Sequence, residues 1–211
     1  ADLHAIKNIK GAIIIFCGAY LVEKGRGMII GRNIFHFLAM MPMAIPGMTL
    51  GLAYIFFFNN PMNPLHFIYG SMAILVICTI VHFYTVSHLT AVTALKQIDK
   101  EFESVSASLK QPFYRTFFRV TTPICLPAIC EISIYLFVNA MTTVSAVVFL
   151  YSANTNLASV AILNMDDAGD IAPAAAMGMM IFYTNASVRI AYIVLTKKIL
   201  IKTQAWRKKT N

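Results

Sequence analysis

Charge is the scarcest ingredient of this chain. Only 12% of its 211 residues are Asp, Glu, Lys or Arg, 58% are apolar, and mean hydropathy is +0.69. Water-soluble domains carry roughly twice that charge, which excludes an ordinary soluble enzyme. A disordered chain is excluded too, because disorder requires low hydrophobicity. Motifs that carry covalent chemistry are also missing. Without a Gly-x-x-x-x-Gly-Lys-Ser/Thr loop or a Gly-x-Ser-x-Gly elbow, the sequence offers no motif for hydrolysing nucleotide or for a serine nucleophile of the hydrolase type. There is no His-Glu-x-x-His, and His82 and His88 are six positions apart, on different faces of a helix, so packed or interfacial histidines are expected. Cys17, Cys78, Cys125 and Cys130 form no Cys-x-x-Cys, which makes reduced, packing thiols the expectation. No internal repeat stands out. No cofactor and no metal site is expected.

What the chain has in quantity is long apolar stretches. A helix needs about 20 apolar residues to cross the hydrocarbon core of a bilayer. Ile34 to Phe58 carries no formal charge, although Pro42, Pro46 and Gly47 suggest a broken or late-starting helix. Phe67 to Leu95 is uncharged apart from its histidines, Ala128 to Leu150 contains one acid, Glu131, and Pro173 to Thr196 contains one base, Arg189. Gly11 to Val22 is short, and becomes long enough if Ile6 extends it and Lys7 and Lys10 snorkel to the interface. The expectation is an all-α polytopic membrane bundle of about five transmembrane helices, forming a single domain over residues 1–211. Ala1 is not an initiator methionine and no signal-peptide pattern precedes the first apolar run, so a piece of a longer or processed chain is expected.

The net charge of +8 acquires a meaning from its distribution. Lys24, Arg26 and Arg32 lie in one interval, Lys96, Lys100, Lys110, Arg115 and Arg119 in another, and Lys197, Lys198, Lys202, Arg207, Lys208 and Lys209 in the tail. Together these are 14 of the 17 bases, and the alternate segments Asn59 to Pro64 and Tyr151 to Ala172 contain none. Positive residues favour the cytoplasmic side. The expected topology therefore places the N-terminus outside, with the segment 96–122 and the C-terminus on the cytoplasmic side. Lipid, and not nucleic acid, is the partner this charge implies.

The segment 96–122 has a pattern of its own. Leu95, Ile98, Phe102, Val105 and Leu109 follow 3, 4, 3, 4 spacing, which puts them on one helical face. Asp99 suits an N-cap, with Glu101 and Glu103 in the positive first turn. After Gln111-Pro112 a second short helix carries Phe113, Phe117 and Val120 on one side, and Pro123 and Pro127 mark the return to the membrane. Such a pair of helices is either a knob for a cytoplasmic partner or an interfacial element lying on lipid.

The run from Glu103 to Pro123 resembles the Glu-Ala-Ala loop of binding-protein-dependent ABC importer permeases. Glu103, Ala107, Leu109, Phe117, Val120 and Pro123 occupy matching places, Ser104 and Val105 replace the two alanines, and Lys110 stands where the family usually has glycine. Lysine must either reach a left-handed conformation at a cost or use a different turn helped by Pro112. Met41-Pro-Met-Ala-Ile-Pro-Gly resembles the start of a permease helix. Tyr135 to Leu150 and Leu163 to Asp170 resemble the ferric-iron and 2-aminoethylphosphonate branch, and the wording Val138-Asn-Ala-Met-Thr-Thr and Asn164-Met-Asp-Asp-Ala-Gly-Asp is nearest the 2-aminoethylphosphonate permeases. Members of this branch often carry two six-span halves, so the resemblance implies a C-terminal half lacking its first span.

The resemblance implies a MetI-like permease core whose loop of coupling helices (Glu103, Ala107, Leu109, Phe113, Phe117, Val120) meets ABC ATPase subunits, with a periplasmic solute-binding protein outside and a second permease half alongside. The polar run Asn139, Thr142, Thr143 and Ser145 must face protein or a water-filled path in lipid. It reads either as a translocation path or as a close-packing surface. Asp166, Asp167 and Asp170 form an acidic cluster on the outer side, which is either a contact for the binding protein or a solvated loop with Asp170 capping the next helix. Glu131 and Arg189 are ionisable groups inside expected spans and so are functional candidates, as a mutual pair or by snorkelling. Transport of 2-aminoethylphosphonate is the reading that results, with ferric iron as the alternative cargo. The rivals from other classes are an intramembrane enzyme using Glu131 or His82 and a membrane scaffold.

Overall fold

A computed structural model of the chain describes residues 2–25, 29–99, 101–152 and 155–203. Arg26, Lys100, Arg207, Lys208 and Lys209 lie outside the described residues, as do the side chains of Glu103, Lys198 and Lys202. Every regular element described is a helix.

Helix α1, Asp2–Lys24, is longer than its apolar run. Its 23 residues extend about 34 Å at 1.5 Å per residue, and Lys7 and Lys10 are exposed. Ala12, Ile15, Phe16 and Ala19, spaced as one helical face, are buried against Ala91 and Leu95 of α5 (Tyr84–Lys96) and Ile132 and Leu136 of α9 (Leu126–Thr142). Arg32 donates through Nη1 to the Gly25 carbonyl at 3.0 Å and through Nε to that of Val22, so a base counted for topology also caps the end of α1.

The stretch from Ile34 to Phe58, expected as a broken or late-starting span, is two helices. Helix α2 (Ile29–Met40) runs into a 3-10 turn at Met41–Ala44, and α3 (Gly47–Phe58) leaves at 110° to it. The break lies at the prolines, as the sequence suggested. Pro46 forces Ile45 into an extended conformation, φ −101° and ψ 122°, which no helix accommodates.

Helix α4 (Met72–His82) is N-capped by Ser71, whose Oγ accepts from the Ala73 amide at 3.2 Å. It meets α5 at a 56° bend about Phe83, where no proline is present. Thr79 and Ser87 flank the bend and donate back to the carbonyls of Leu75 (2.8 Å) and Phe83 (3.0 Å), a pattern that loosens the helical ladder. Helix α6 (Glu101–Ser108), α7 (Phe113–Thr116), a π-turn at Phe117–Thr121 and α8 (Thr122–Ile124) make up the following connection. It joins α9 at a 73° bend beside Pro123 and Pro127.

The expectation of a helix to Leu150 needs correction. Helix α9 stops at Thr142, Thr143 is extended (φ −69°, ψ 135°), and the apolar residues beyond fold as irregular turns. Ala146, Val147 and Leu150 belong to a second core with Leu50 and Phe58 of α3, Ile74, Leu75 and Cys78 of α4, and Val160 of α10 (Ala158–Asp167). Their hydrophobicity reflects burial in that core, not a continuing span.

The last helix, α11 (Ile171–Thr203), begins two residues before Pro173, which its first turn tolerates. By length and composition, Ile171–Lys197 can cross a membrane alone, and each of the three bent pairs passes the same test as a unit among the described residues. α1 has the length for a further crossing.

Candidate coupling loop and polar groove

The connection after α5 begins as its sequence dictates. Asp99 Oδ1 accepts from the Glu101 amide at 3.2 Å and starts α6. The apolar stripe divides there. Leu95 and Ile98 are buried, whereas Phe102, Val105 and Leu109 are 48%, 56% and 64% exposed. The α6 half of the stripe is therefore an uncovered apolar face.

Helix α6 ends in a left-handed turn at Lys110, φ 49°, the one non-glycine residue with positive φ among those described. Gln111 N donates to Ser106 O and Lys110 N to Ala107 O, both at 3.0 Å. This paired arrangement is the one that glycine usually completes. The lysine thus takes the glycine conformation. Ser106 and Thr116 hydroxyls hydrogen-bond across the turn, and Arg115 Nη1 donates to Gln111 Oε1 at 3.2 Å, so α6 and α7 are tied together.

The aromatic residues of the second helix divide between two tasks. Phe117 lies with its ring centroid 4.5 Å from that of Tyr20 and 6.0 Å from Phe16, so it packs into the bundle. Phe113 also touches Tyr20, at 4.8 Å, but stays 43% exposed. Leu109 and Val120 line a depression of about 730 Å³ with Phe102, Val105, Arg115 and Arg119. Ala107 lies instead on a small cleft with Tyr20, Lys24 and Phe113. Glu103 belongs to α6, and its side chain is outside the described residues.

The polar run after Tyr135 is not brought together. Asn139 lines a cavity of about 630 Å³ between α5, α9 and α11, with Ser87, Thr90, Glu131, Asn185 and Arg189 among its walls. Thr142 donates to its own helix, at Val138 O (3.1 Å). Thr143 is buried, and its carbonyl accepts from Ser159 Oγ at 2.7 Å, which pins the end of α9 to α10. Ser145 lies on the far side of the turn, against Gly47 of α3.

Glu131 and Arg189 share the cavity without forming an ion pair within 4.0 Å. Arg189 Cζ instead lies 5.5 Å from the Tyr192 ring centroid. A second cavity of about 580 Å³ shares Val86, Thr90 and Glu131 and continues towards Gln97 and Pro127. The two form one groove leading to the base of the loop, with Glu131 at the junction. Asn185 was missed from the sequence, although it stands four residues before Arg189, one helical turn away on the same face.

The remaining candidates scatter. Asp166, Asp167 and Asp170 are all exposed at the α10–α11 turn, where Gly169 takes φ 84°. Ala174 N donates to Asp170 O at 3.2 Å, which places Asp170 at the start of α11. His36 Nδ1 and His88 Nε2 are 3.2 Å apart, joining α2 to α5. Among the described residues, no group of three or more His, Cys, Asp or Glu is placed to hold a metal ion. The four thiols are unpaired, and Cys78 Sγ contacts the Ala146 carbonyl at 3.4 Å.

The chain is 35% identical over 159 residues to the ferric transport system permease protein FbpB of Actinobacillus pleuropneumoniae, covering 75% of this chain and 23% of that protein. It is 27% identical over 120 residues to the Fe(3+)-transport system permease protein FbpB 2 of Haemophilus influenzae, covering 56% of this chain and 23% of the relative. The chain thus spans about a quarter of the length of these relatives. In fold it is similar to a chain of a solved bacterial ABC transporter involved in the import of the acidic polysaccharide alginate, with TM-score 0.72 and 13% identity, over 93% of this chain and 79% of that one. Residues 14–201 match the family described as binding-protein-dependent transport system inner membrane component. A match over that much of an all-helical chain, with the fold of an ABC transporter, means that the chain belongs to this family of inner membrane transport components.

Proposed function

We propose that the chain is the transmembrane permease subunit of an ATP-driven ABC importer in a bacterial inner membrane. The observation that carries this reading is the uncovered face of Phe102, Val105 and Leu109 on a loop held rigidly to the bundle through Phe117 and Tyr20. Apolar groups exposed on a basic connection need a cover, and a groove on a cytoplasmic ATPase supplies one. Force applied to α6 then reaches α1 and α9 without being lost in a flexible linker. The ATPase subunits hydrolyse ATP, and this chain carries out no covalent step on its cargo.

The loop, with Glu103, Ala107, Leu109, Phe113, Phe117 and Val120, lies on the cytoplasmic side in this reading. The cluster Asp166, Asp167 and Asp170 lies outside, where a solute-binding protein docks. The N-terminal end of α1 is external and the tail internal, which corresponds to five crossings with α1 as the first. A second permease half completes the path. The path runs along the Asn139–Glu131 groove, with Thr142, Thr143 and Ser145, which do not line that groove, at its outer end.

Two cargo readings have support. The relatives described above are named for ferric transport, which favours ferric iron. The Val138–Thr143 and Asn164–Asp170 wording favours 2-aminoethylphosphonate. The test of the class reading is assembly: the chain, co-expressed with its second permease half and an ABC ATPase subunit from the same organism, should co-purify with the ATPase and support ATP-dependent uptake into vesicles. Replacing Phe102 and Val105 by serine should abolish both. Unchanged association and uptake in that variant would overturn the reading.

A further inference from the structure

Helix α1 fixes the depth at which the loop returns. It ends at Lys24, and Tyr20 and Phe16, the rings that receive the returning segment, stand one and two turns earlier. At 1.5 Å per residue these rings lie about 6 and 12 Å back along the axis. Phe113 meets Tyr20 at 4.8 Å, and Phe117 meets Tyr20 at 4.5 Å and Phe16 at 6.0 Å. Residues 113–121 are therefore level with the last two turns of α1, not beyond its end. In the importer reading Lys24 marks the cytoplasmic boundary of α1. The segment then runs at the height of headgroups and upper acyl chains, where lipid and not a cytoplasmic protein is the neighbour.

The exposed side of this segment suits that depth. Thr116 and Thr121 are buried, while Tyr114 and Phe118, four positions apart, are 60% and 67% exposed. Arg115 and Arg119 form the adjacent exposed row with the same spacing. Among the described residues neither guanidinium has a carboxylate within 4.0 Å. Asp99 and Glu101 stand across the depression that the arginines line, and Asp99 is turned to the amide that starts α6. Arg115 is braced by Gln111 Oε1 at 3.2 Å. Exposed aromatic rings settle at the boundary between headgroups and acyl chains, a guanidinium grips phosphate in a bidentate manner, and the cytoplasmic leaflet is the anionic one.

We propose that residues 113–121 are a seat for an anionic phospholipid of the inner leaflet, its phosphate held by Arg115 and Arg119 and its acyl chains lying against Tyr114 and Phe118. The lipid reaches further than its own seat. Thr116 is hydrogen-bonded to Ser106, and Arg115 to Gln111, so the lipid-bound segment and α6 move together. An occupied seat thus sets the tilt of the Phe102, Val105 and Leu109 face against the bilayer. This inference rests on the importer reading, which puts the loop on the cytoplasmic side, and adds a lipid that orients it.

The test is native mass spectrometry of the full chain in detergent, offered phosphatidylglycerol and phosphatidylcholine with the same acyl chains. The wild type should retain phosphatidylglycerol in preference by roughly tenfold. Arg115→Gln with Arg119→Gln should bring the ratio close to one. Lys7→Gln with Lys10→Gln, which removes the same charge from the other end of α1, should leave it unchanged. Glycerol 3-phosphate in excess should not displace the lipid, because the rings hold its chains. Equal retention of the two lipids, a preference that survives in the arginine variant or disappears in the lysine one, or displacement by glycerol 3-phosphate would overturn the proposal. An arginine variant that loses the ATPase but keeps its lipid would overturn it too, and would assign the arginines to the ATPase. Co-purification of the ATPase with the wild-type chain separates the two claims. Association without lipid preference sinks the seat alone, and preference without association sinks the importer reading.

Discussion

The rings of Tyr20 and Phe117 meet at 4.5 Å, so the connection carrying the exposed face of α6 is rooted in α1 rather than hung from its own ends. Phe117→Ala removes that root. Truncating a core phenylalanine costs roughly 3–5 kcal/mol, and this ring is only partly buried, so a loss of about 2 kcal/mol is expected. A lower melting temperature in detergent is the readout. Phe102→Ser, on the open face, should leave the melting temperature nearly unchanged while weakening ATPase association. Similar melting curves for the two variants would contradict this division of roles.

Lys110 occupies a left-handed conformation, φ 49°, that costs an L-residue roughly 1–2 kcal/mol. Lys110→Gly should therefore stabilise the α6–α7 turn by about 0.5–1 kcal/mol, once the greater freedom of glycine in the unfolded chain is offset. Slower amide exchange at Gln111, whose N–H bonds to Ser106 O, would register it. Lys110→Val should act in the opposite direction.

Close approach of backbones explains two glycines in α3. A Cβ on Gly51 would lie 2.8 Å from the Ala146 carbonyl oxygen, and one on Gly47 would lie 2.5 Å from Ser145 Oγ. Gly51→Ala must move backbone and should cost about 1–3 kcal/mol. Gly47→Ala meets a hydroxyl first, so the double variant Gly47→Ala, Ser145→Ala should recover part of the loss. Thermal denaturation of the three variants is the check. No recovery in the double variant would show that the obstacle is the Ala146 backbone amide or the His82 ring, each 3.2 Å away.

Ser159 Oγ donates to the Thr143 carbonyl at 2.7 Å in a buried setting. Ser159→Ala leaves that carbonyl unsatisfied, at a cost of about 1–3 kcal/mol. Faster hydrogen exchange should appear in the 143–152 turns before it appears in α9.

Features governed by local chemistry were legible in the sequence. Pro42 and Pro46 break the helix where they stand and Asp99 caps α6, whereas the sequence left two turns open at Lys110 and the structure shows the left-handed one. Features governed by tertiary packing were not. Nothing local separates Ala146-Val147 from a continuing helix, because burial in a second core and burial in lipid select the same side chains. The 56° bend at Phe83 has no proline to announce it. The groove required α11 to be laid against α9 before Asn185 and Arg189 could be grouped with Asn139 and Glu131. The exposed half of the α6 stripe looked identical to its buried half, because periodicity identifies a face without saying what covers it.

The place of α1 imposes an order of assembly. Its face of Ala12, Ile15, Phe16 and Ala19 closes against α9, which is synthesised only after the two bent pairs and the loop between them. At roughly 5–20 residues per second, the ribosome leaves that face waiting for several seconds before its partner helix exists. During that interval α5 supplies one wall and an insertase or lipid must supply the other. Translation stalled between α5 and α9 would thus leave a species with an open seam, the form on which a membrane protease would act.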